Sequence, residues 1–247
     1  LHDQTRRQRQ MCIRDSLPVD GRFGSGPSLV RKSDLDALAN LSESYMGTSH
    51  RQSPVKDMVG RLRDGLSVLF GLPDDWEIIL GNGGSTLFWD AATFSLISEK
   101  SHHLVFGEFS SKFATASRAA PHIDEPVVAE FEPGTGPLVE ESDADTYAFT
   151  HNETSTGVSM DLQRPANTSA DEAIVLVDAT SAAGGIVWDT DNVDCYYFAP
   201  QKCFASDGGL WVAACSPAAV QRIDDIASRN RWTPAGLDLK IALDNSR

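Results

Sequence analysis

Two early stretches of the chain place apolar residues on one helical face. Leu35, Leu38, Ala39 and Leu41 make the first; Val55, Val59, Leu62, Leu66 and Leu69 make the second, which Gly71 and Pro73 stop. The spacing predicts a short helix near 35–41 and an amphipathic one over 55–70. Beyond Pro73 the pattern becomes short apolar runs closed by polar turns. Trp76–Leu80, His103–Phe106, Tyr147–Thr150, Ala173–Asp178, the run ending at Phe198, and Gly209–Cys215 read as strands. Helical segments follow at 87–97 and at 217–226, the latter with Pro217 in its first turn and Ser216 as cap. Ala173–Val177 is unbroken and largely β-branched, which predicts a strand buried on both faces, inside a parallel sheet covered by helices. The class is therefore α/β. Residues 124–142, rich in acid, Pro and Gly, read as peripheral, and 231–247 show no closing element. Residues 1–20 are polar, arginine-rich and aperiodic, and are expected to form a disordered or foreign leader.

Composition narrows the partners. The chain has 247 residues, 41% of them hydrophobic, enough for one large domain, and a formal charge of -14. That charge disfavours nucleic acid and anionic membrane as partners. No apolar run reaches the length of a membrane span, and no signal-peptide core is present, so cytosol is the default. Cys12, Cys195, Cys203 and Cys215 form neither a CxxC pair nor a ligand spacing with the histidines, so no metal site is indicated.

The candidate chemistry sits where strands end. Gly81-Asn82-Gly83-Gly84-Ser85-Thr86 joins a strand to a helix, the arrangement in which free amides and the helix dipole hold an anion. The turn matches neither the Walker A spacing nor GxGxxG, so no nucleotide is specified. Phe109 follows the next strand and offers a flat ring for stacking. His151-Asn152-Glu153-Thr154-Ser155-Thr156-Gly157 is richer in hydrogen-bonding side chains than a plain turn requires. Asp178 closes the most apolar strand, where a carboxylate is costly without a positive partner. Lys202 follows Pro200-Gln201 between two strands, a setting that suits an amine held out of bulk water for attack on a carbonyl. His50-Arg51, in a loop of small hydroxyl residues, makes an anion-binding face. A phosphate, a flat ring, a ring nitrogen wanting an acid and an aldehyde wanting an amine together describe pyridoxal phosphate.

The motifs Gly24-Ser25-Gly26-Pro27, Gly47-Thr48-Ser49-His50-Arg51, Gly81–Thr86, Gly107-Glu108-Phe109-Ser110, His151–Gly157, Asp178-Ala179-Thr180-Ser181 and Phe198-Ala199-Pro200-Gln201-Lys202 resemble the phosphoserine aminotransferase family, in its actinobacterial form. The resemblance runs from about residue 21 onward. It implies a class V, fold-type-I enzyme whose three-layer α/β/α large domain has a mostly parallel sheet. The implied division is an N-terminal arm and substrate loop at 21–50 and a cofactor-binding large domain at 51–247. A C-terminal small domain and an Asn-Thr pair reaching the neighbouring subunit's cofactor would lie beyond residue 247. The implied reaction moves the amino group of L-glutamate to 3-phosphohydroxypyruvate in serine biosynthesis, in a cytoplasmic homodimer, and the sequence does not decide whether related phosphorylated oxoacids of vitamin B6 synthesis are also used.

Residue by residue, the resemblance makes Lys202 the covalent cofactor lysine and Asp178 the partner of the ring nitrogen. Phe109 would stack on the ring and Thr154 would bond its hydroxyl. Ser85, Thr86 and Gln201 would hold the phosphate, while His50, Arg51 and Ser25 would bind substrate. Alternatives are another class V enzyme, such as a cysteine desulfurase, or a catalytically incomplete cofactor-binding fragment. The desulfurase needs a nucleophilic cysteine on a mobile loop, a setting that none of the cysteines has.

Overall fold

The computed structural model describes residues 24–166 and 168–247. The leader expected at 1–20, the first residues of the arm and Cys12 lie outside the described residues.

Two helices open the described chain, α1 (Lys32–Asn40) and α2 (Ser53–Phe70). Gly71 ends α2 in the left-handed conformation at φ 61°, as its position after the last apolar residue predicts. The strands of the main sheet are β1 (Glu77–Asn82), β2 (Ser101–Val105), β3 (Val127–Glu130), β4 (Thr146–Thr150), β7 (Ile174–Asp178), β8 (Cys195–Phe198) and β9 (Leu210–Cys215). Their order across the seven-stranded sheet is β1-β9-β8-β7-β4-β2-β3. Neighbours from β8 through β7, β4 and β2 to β3 pair in parallel, whereas β9 runs antiparallel to both β1 and β8. A two-stranded ribbon, β5 (Asn152–Glu153) with β6 (Val158–Ser159), grows from the end of β4.

The central strands have apolar side chains on both faces because both faces are covered. Ile174 to Val177 are no more than 1% exposed. Val175 and Val177 join Tyr147, Phe149, Tyr196 and Phe198 under α2 and ordered coil. Ile174 and Leu176 join Ala148, Tyr197 and Trp211 under α3 (Ser85–Ser95), α4 (Glu108–Ala119), α5 (Pro217–Ser228) and α6 (Leu239–Ser246). Each fully buried aromatic or branched side chain contributes about 1.5–3 kcal/mol. The side-chain period of two therefore decides where the strand-end residue points. Asp178 follows Ile174 and Leu176 towards the helical layer.

Three elements differ from the sequence expectation. The stretch after β2, to which the sequence reading assigned no element, opens α4. Ser110 Oγ accepts from the Phe106 and Gly107 amides at 3.1 Å each, and Phe113, Ala114 and Ser117 turn inward at helical spacing. The segment read as peripheral supplies β3, an edge strand. The C-terminal stretch, read as having no closing element, forms α6. Asp238 caps it through the Lys240 and Ile241 amides, and Leu239 and Leu243 are completely buried.

Candidate active site

The parallel strands deliver their carboxyl ends to one edge of the sheet, and β9 starts there, with Leu210 opposite Asn82. In open α/β sheets that edge is where ligands bind. Gly83 stands there at φ 106°, a conformation that suits glycine, and its amide donates to the Gly209 carbonyl at 2.9 Å. Gly84 then caps α3 without a side chain of its own, and Ser85 and Thr86 form the helix's first turn. First-turn amides have no intrahelical acceptor. Ser85 is buried and Thr86 exposed, so the helix presents both amides and two hydroxyls at the sheet edge.

Asp178 is 6% exposed. Its Oδ1 accepts from the Thr180 amide at 3.0 Å and the Thr180 hydroxyl at 2.7 Å; its Oδ2 accepts from Trp89 Nε1 at 3.0 Å. Among the described residues no lysine, arginine or histidine is bonded to it. Burial pushes its carboxyl above the ordinary carboxylate value, against the pull of these bonds, and the nearby Glu153 charge pushes it further. Ser85 Oγ lies 2.5 Å from Thr180 Oγ1, which ties the anion cup to the acid.

The next residue of the same turn, Ser181, belongs to an open cavity of about 350 Å³ whose lining includes Ser25, Asn152, Thr154 and Lys202. Asn152 Nδ2 and Thr154 Oγ1 donate to Ser181 Oγ at 2.8 and 2.9 Å, and Ser181 Oγ donates to the Asn152 carbonyl at 2.8 Å. Lys202 is half-buried rather than withdrawn from water, and its Nζ donates to the Ser25 carbonyl at 2.5 Å. The arm is strapped down beside it by the Ser28 amide on the Gln201 carbonyl at 2.8 Å. Gln201 Oε1 is buried without a hydrogen-bond partner. Ala205, at φ 50°, closes the lysine turn in a strained conformation for a residue with a Cβ.

Glu153, fully buried, reads differently in three dimensions. Its carboxylate accepts from the Ser110 amide and hydroxyl at 2.9 Å and from the Ser155 hydroxyl at 2.7 Å, at the N-terminus of α4. Burial raises its carboxyl, but these donors prevail and hold it below the ordinary value. Gly107 makes room: a Cβ there would meet Glu153 Cγ at 2.3 Å. His151 turns to the α2 side, where it lines a separate cavity of about 730 Å³ and its Nδ1 lies 3.0 Å from the Tyr196 hydroxyl.

Lys202, Thr154 and Ser25 thus share one cavity, and Asp178 and Ser85 share a hydrogen-bonded cluster that the Thr180–Ser181 turn joins to it. Thr86 stands at the cup, and Gln201 precedes the lysine. Phe109 lies in the first turn of α4, 38% exposed, with Lys112 Nζ 5.5 Å from its ring centre, and does not line the cavity. His50 and Arg51 occupy an exposed turn and do not line it either. Asn152, Thr180 and Ser181 stand in motifs that the sequence singles out, though with no role of their own, and Trp89 was not picked out from the sequence. Trp89 was within reach, since it stands one helical turn beyond Ser85 on the same face.

Residues 128–226, which include Thr154, Asp178 and Lys202, match the family model described as aminotransferase class-V. The chain is thus similar to class-V aminotransferases across that segment. It is 58% identical over 234 residues to the phosphoserine aminotransferase of a Nocardioides species, covering 94% of this chain and 63% of that one. It is 55% identical over 230 residues to a putative phosphoserine aminotransferase of Mycobacterium leprae, covering 93% and 61%. The chain therefore spans 61–63% of the length of these relatives. Among solved structures, the chain superimposes on a phosphoserine aminotransferase from Cytophaga hutchinsonii with a TM-score of 0.76 at 24% identity, covering 90% of this chain and 63% of that one. A pyridoxal phosphate-bound phosphoserine aminotransferase from Trichomonas vaginalis gives 0.72 at 20%, covering 90% and 67%. At these identities the structures speak to the fold: the mostly parallel sheet with its helices is that of the fold-type-I large domain.

Proposed function

We propose that this chain is the cofactor-binding part of a phosphoserine aminotransferase that uses pyridoxal phosphate to move the amino group of L-glutamate to 3-phosphohydroxypyruvate. The observation that carries the reading is Asp178, a buried carboxylate at the end of a central strand with neutral donors only. A protonated ring nitrogen is the cation its donor set suits. The uncapped first turn of α3, with its free amides, fits the phosphate of the cofactor. Similarity at 53–58% identity to proteins named for this activity supports the substrate pair.

When bound, pyridoxal phosphate supplies an electron sink for charge developing at the substrate's Cα. The chain's own groups do the rest. Asp178 holds a proton on the ring nitrogen, which keeps that sink deep. Ser85, Thr86 and Gln201 hold the phosphate. Thr154 spends its proton on Ser181 and so keeps acceptor capacity for the ring hydroxyl. Phe109, outside the cavity lining, would stack on the ring only as the resemblance implies. Lys202 would hold the cofactor's aldehyde carbon and, with its amine free, would take the proton from Cα as a general base. His50, Arg51 and Ser25 bind the anionic end of the substrate. In this reading residues 21–50 are the arm and substrate loop and 51–247 the large domain. The whole protein works as a homodimer in the cytoplasm, and among the described residues no helix is long and apolar enough to cross a membrane.

The test is spectroscopic. Purified protein given pyridoxal phosphate should show a visible band of the lysine-bound cofactor, and glutamate should bleach it. A protein that shows no band refutes the cofactor; a band that glutamate leaves untouched refutes the amino donor.

A further inference from the structure

Trp89 has a position that none of the strand-end motifs explains. It sits four residues after Ser85 on α3, so the two side chains share a helical face. Both reach the segment that closes β7: Ser85 touches Thr180 at 2.5 Å and Trp89 Nε1 donates to Asp178 Oδ2 at 3.0 Å. The indole is held firmly. It is 4% exposed and lies nearly parallel to the Phe113 ring, 6.1 Å away at 14°. Phe113 in turn meets Tyr197 edge-on at 6.3 Å.

The donor accounting gives the indole a definite task. An ionised carboxylate offers about four lone-pair sites. Thr180 occupies Oδ1 twice, and Trp89 occupies Oδ2 once. What acceptor capacity remains is on Oδ2, beside the indole. An indole N–H donates and never accepts, so it favours the ionised carboxylate and opposes a proton on the oxygen it faces. Resting on the cofactor reading above, we propose that Trp89 is the positioning residue of Asp178. It keeps the carboxylate ionised, turns the free capacity of Oδ2 towards the ring nitrogen, and through α3 fixes the acid relative to the anion cup. Glu153, Tyr196 and Tyr197 are the other titratable groups facing Asp178. Tyr197 is its register partner in the sheet, and its buried hydroxyl, without a hydrogen bond of ordinary geometry, stands beside both Asp178 and Trp89 as the nearest other donor.

The experiment follows the Asp178 carboxyl by carbon NMR in protein labelled at aspartate, before any cofactor is added. In Trp89→Phe, which keeps a flat ring on Phe113 but removes the donor, the carboxyl titration should rise by about one pH unit. With pyridoxal phosphate bound, glutamate-driven loss of the visible band should slow about tenfold, while cofactor affinity should change less than about threefold. Trp89→His, which restores a ring N–H donor, should recover most of both. A Trp89→Phe protein that folds with an unmoved carboxyl titration overturns the proposal. If that variant does not fold, the unmodified protein decides. Its Trp89 indole N–H resonance should titrate with Asp178 and shift in Asp178→Asn, and a resonance indifferent to both overturns the proposal. Absence of any cofactor band would refute the cofactor reading alone, because the carboxyl titration needs no cofactor.

Discussion

The two ends of one sheet treat their carboxylates in opposite ways. At the amino ends of the strands, Asp194 precedes β8 with its side chain 3% exposed, and Arg164 answers it at 2.7 Å. Asp145, before β4, meets Arg222 at 2.8 Å while also accepting from the Ser98, Glu99 and Lys100 amides. At the carboxyl ends, Asp178 and Glu153 are as deeply buried, yet their bonded partners are hydroxyls, amides and an indole. Buried ions are ordinarily paired because desolvating a lone charge is expensive. The amino end meets that requirement from within the chain and closes the fold. The carboxyl end meets it for Glu153 with a helix N-terminus, and at Asp178 it supplies neutral donors only, which in the proposed reading leaves the positive charge to the cofactor.

Asparagine substitutions separate the two ends most sharply. Asp178→Asn should slow the glutamate-driven conversion of bound cofactor by roughly 10²–10⁴-fold, since the ring nitrogen loses the charge that holds its proton. Stability should hold or rise. A carboxyl whose value is raised on folding costs stability once it ionises, above its folded value, and the amide removes that cost. Asp194→Asn should do the reverse, losing about 3–5 kcal/mol to an unpaired Arg164 while the cofactor chemistry of the folded fraction stays normal. Urea melts and single-turnover absorbance on the same samples check both, and equal stability losses at the two positions would dissolve the contrast.

A smaller effect belongs to Glu153. Its carboxyl is held below the ordinary value of 4.5, so it contributes stability in full above pH 4.5 and loses it as pH falls through the lowered value. Glu153→Gln should therefore lower stability at pH 7 by about 1–3 kcal/mol and flatten the loss on acidification below pH 4.5, read by thermal melts across pH. A parallel drop at every pH would show that packing, not charge, is at issue.

What the sequence made legible was the order of the elements and the chemistry at their ends. Ile174–Val177 could be read because an unbroken apolar run has one physical meaning, burial on both faces. Gly83-Gly84-Ser85 could be read because a strand, glycines and a helix start leave amides without acceptors. What stayed hidden depends on long-range packing. Glu153 belongs to α4 only because Gly107 lets the β5 ribbon approach, and nothing local to Glu153 announces that contact. The antiparallel course of β9 follows from the short lysine turn returning the chain beside β8, a direction that apolar runs do not encode. The α6 helix was within reach: Asp238 caps it and Leu239 and Leu243 stand four apart, but one helical turn of apolar spacing is a faint signal beside Pro234 and Gly236. His50 and Arg51 lie in an exposed turn away from the cavity, so their proposed role rests on the resemblance alone.

That role gives the smallest expected effect. Arg51→Lys keeps the charge and loses the planar fork, so the KM for the phosphorylated oxoacid should rise about tenfold with glutamate unaffected, measured in steady-state assays. An unchanged KM would take Arg51 out of the site.

The central claim is that the carboxyl end of the sheet holds pyridoxal phosphate between an acid at Asp178 and an amine at Lys202. Borohydride reduction of the protein with its cofactor, followed by peptide mapping, tests it most directly. The account predicts a single reduced cofactor on Lys202, lost in Lys202→Ala. A label on Lys112 or Lys56 instead would contradict it.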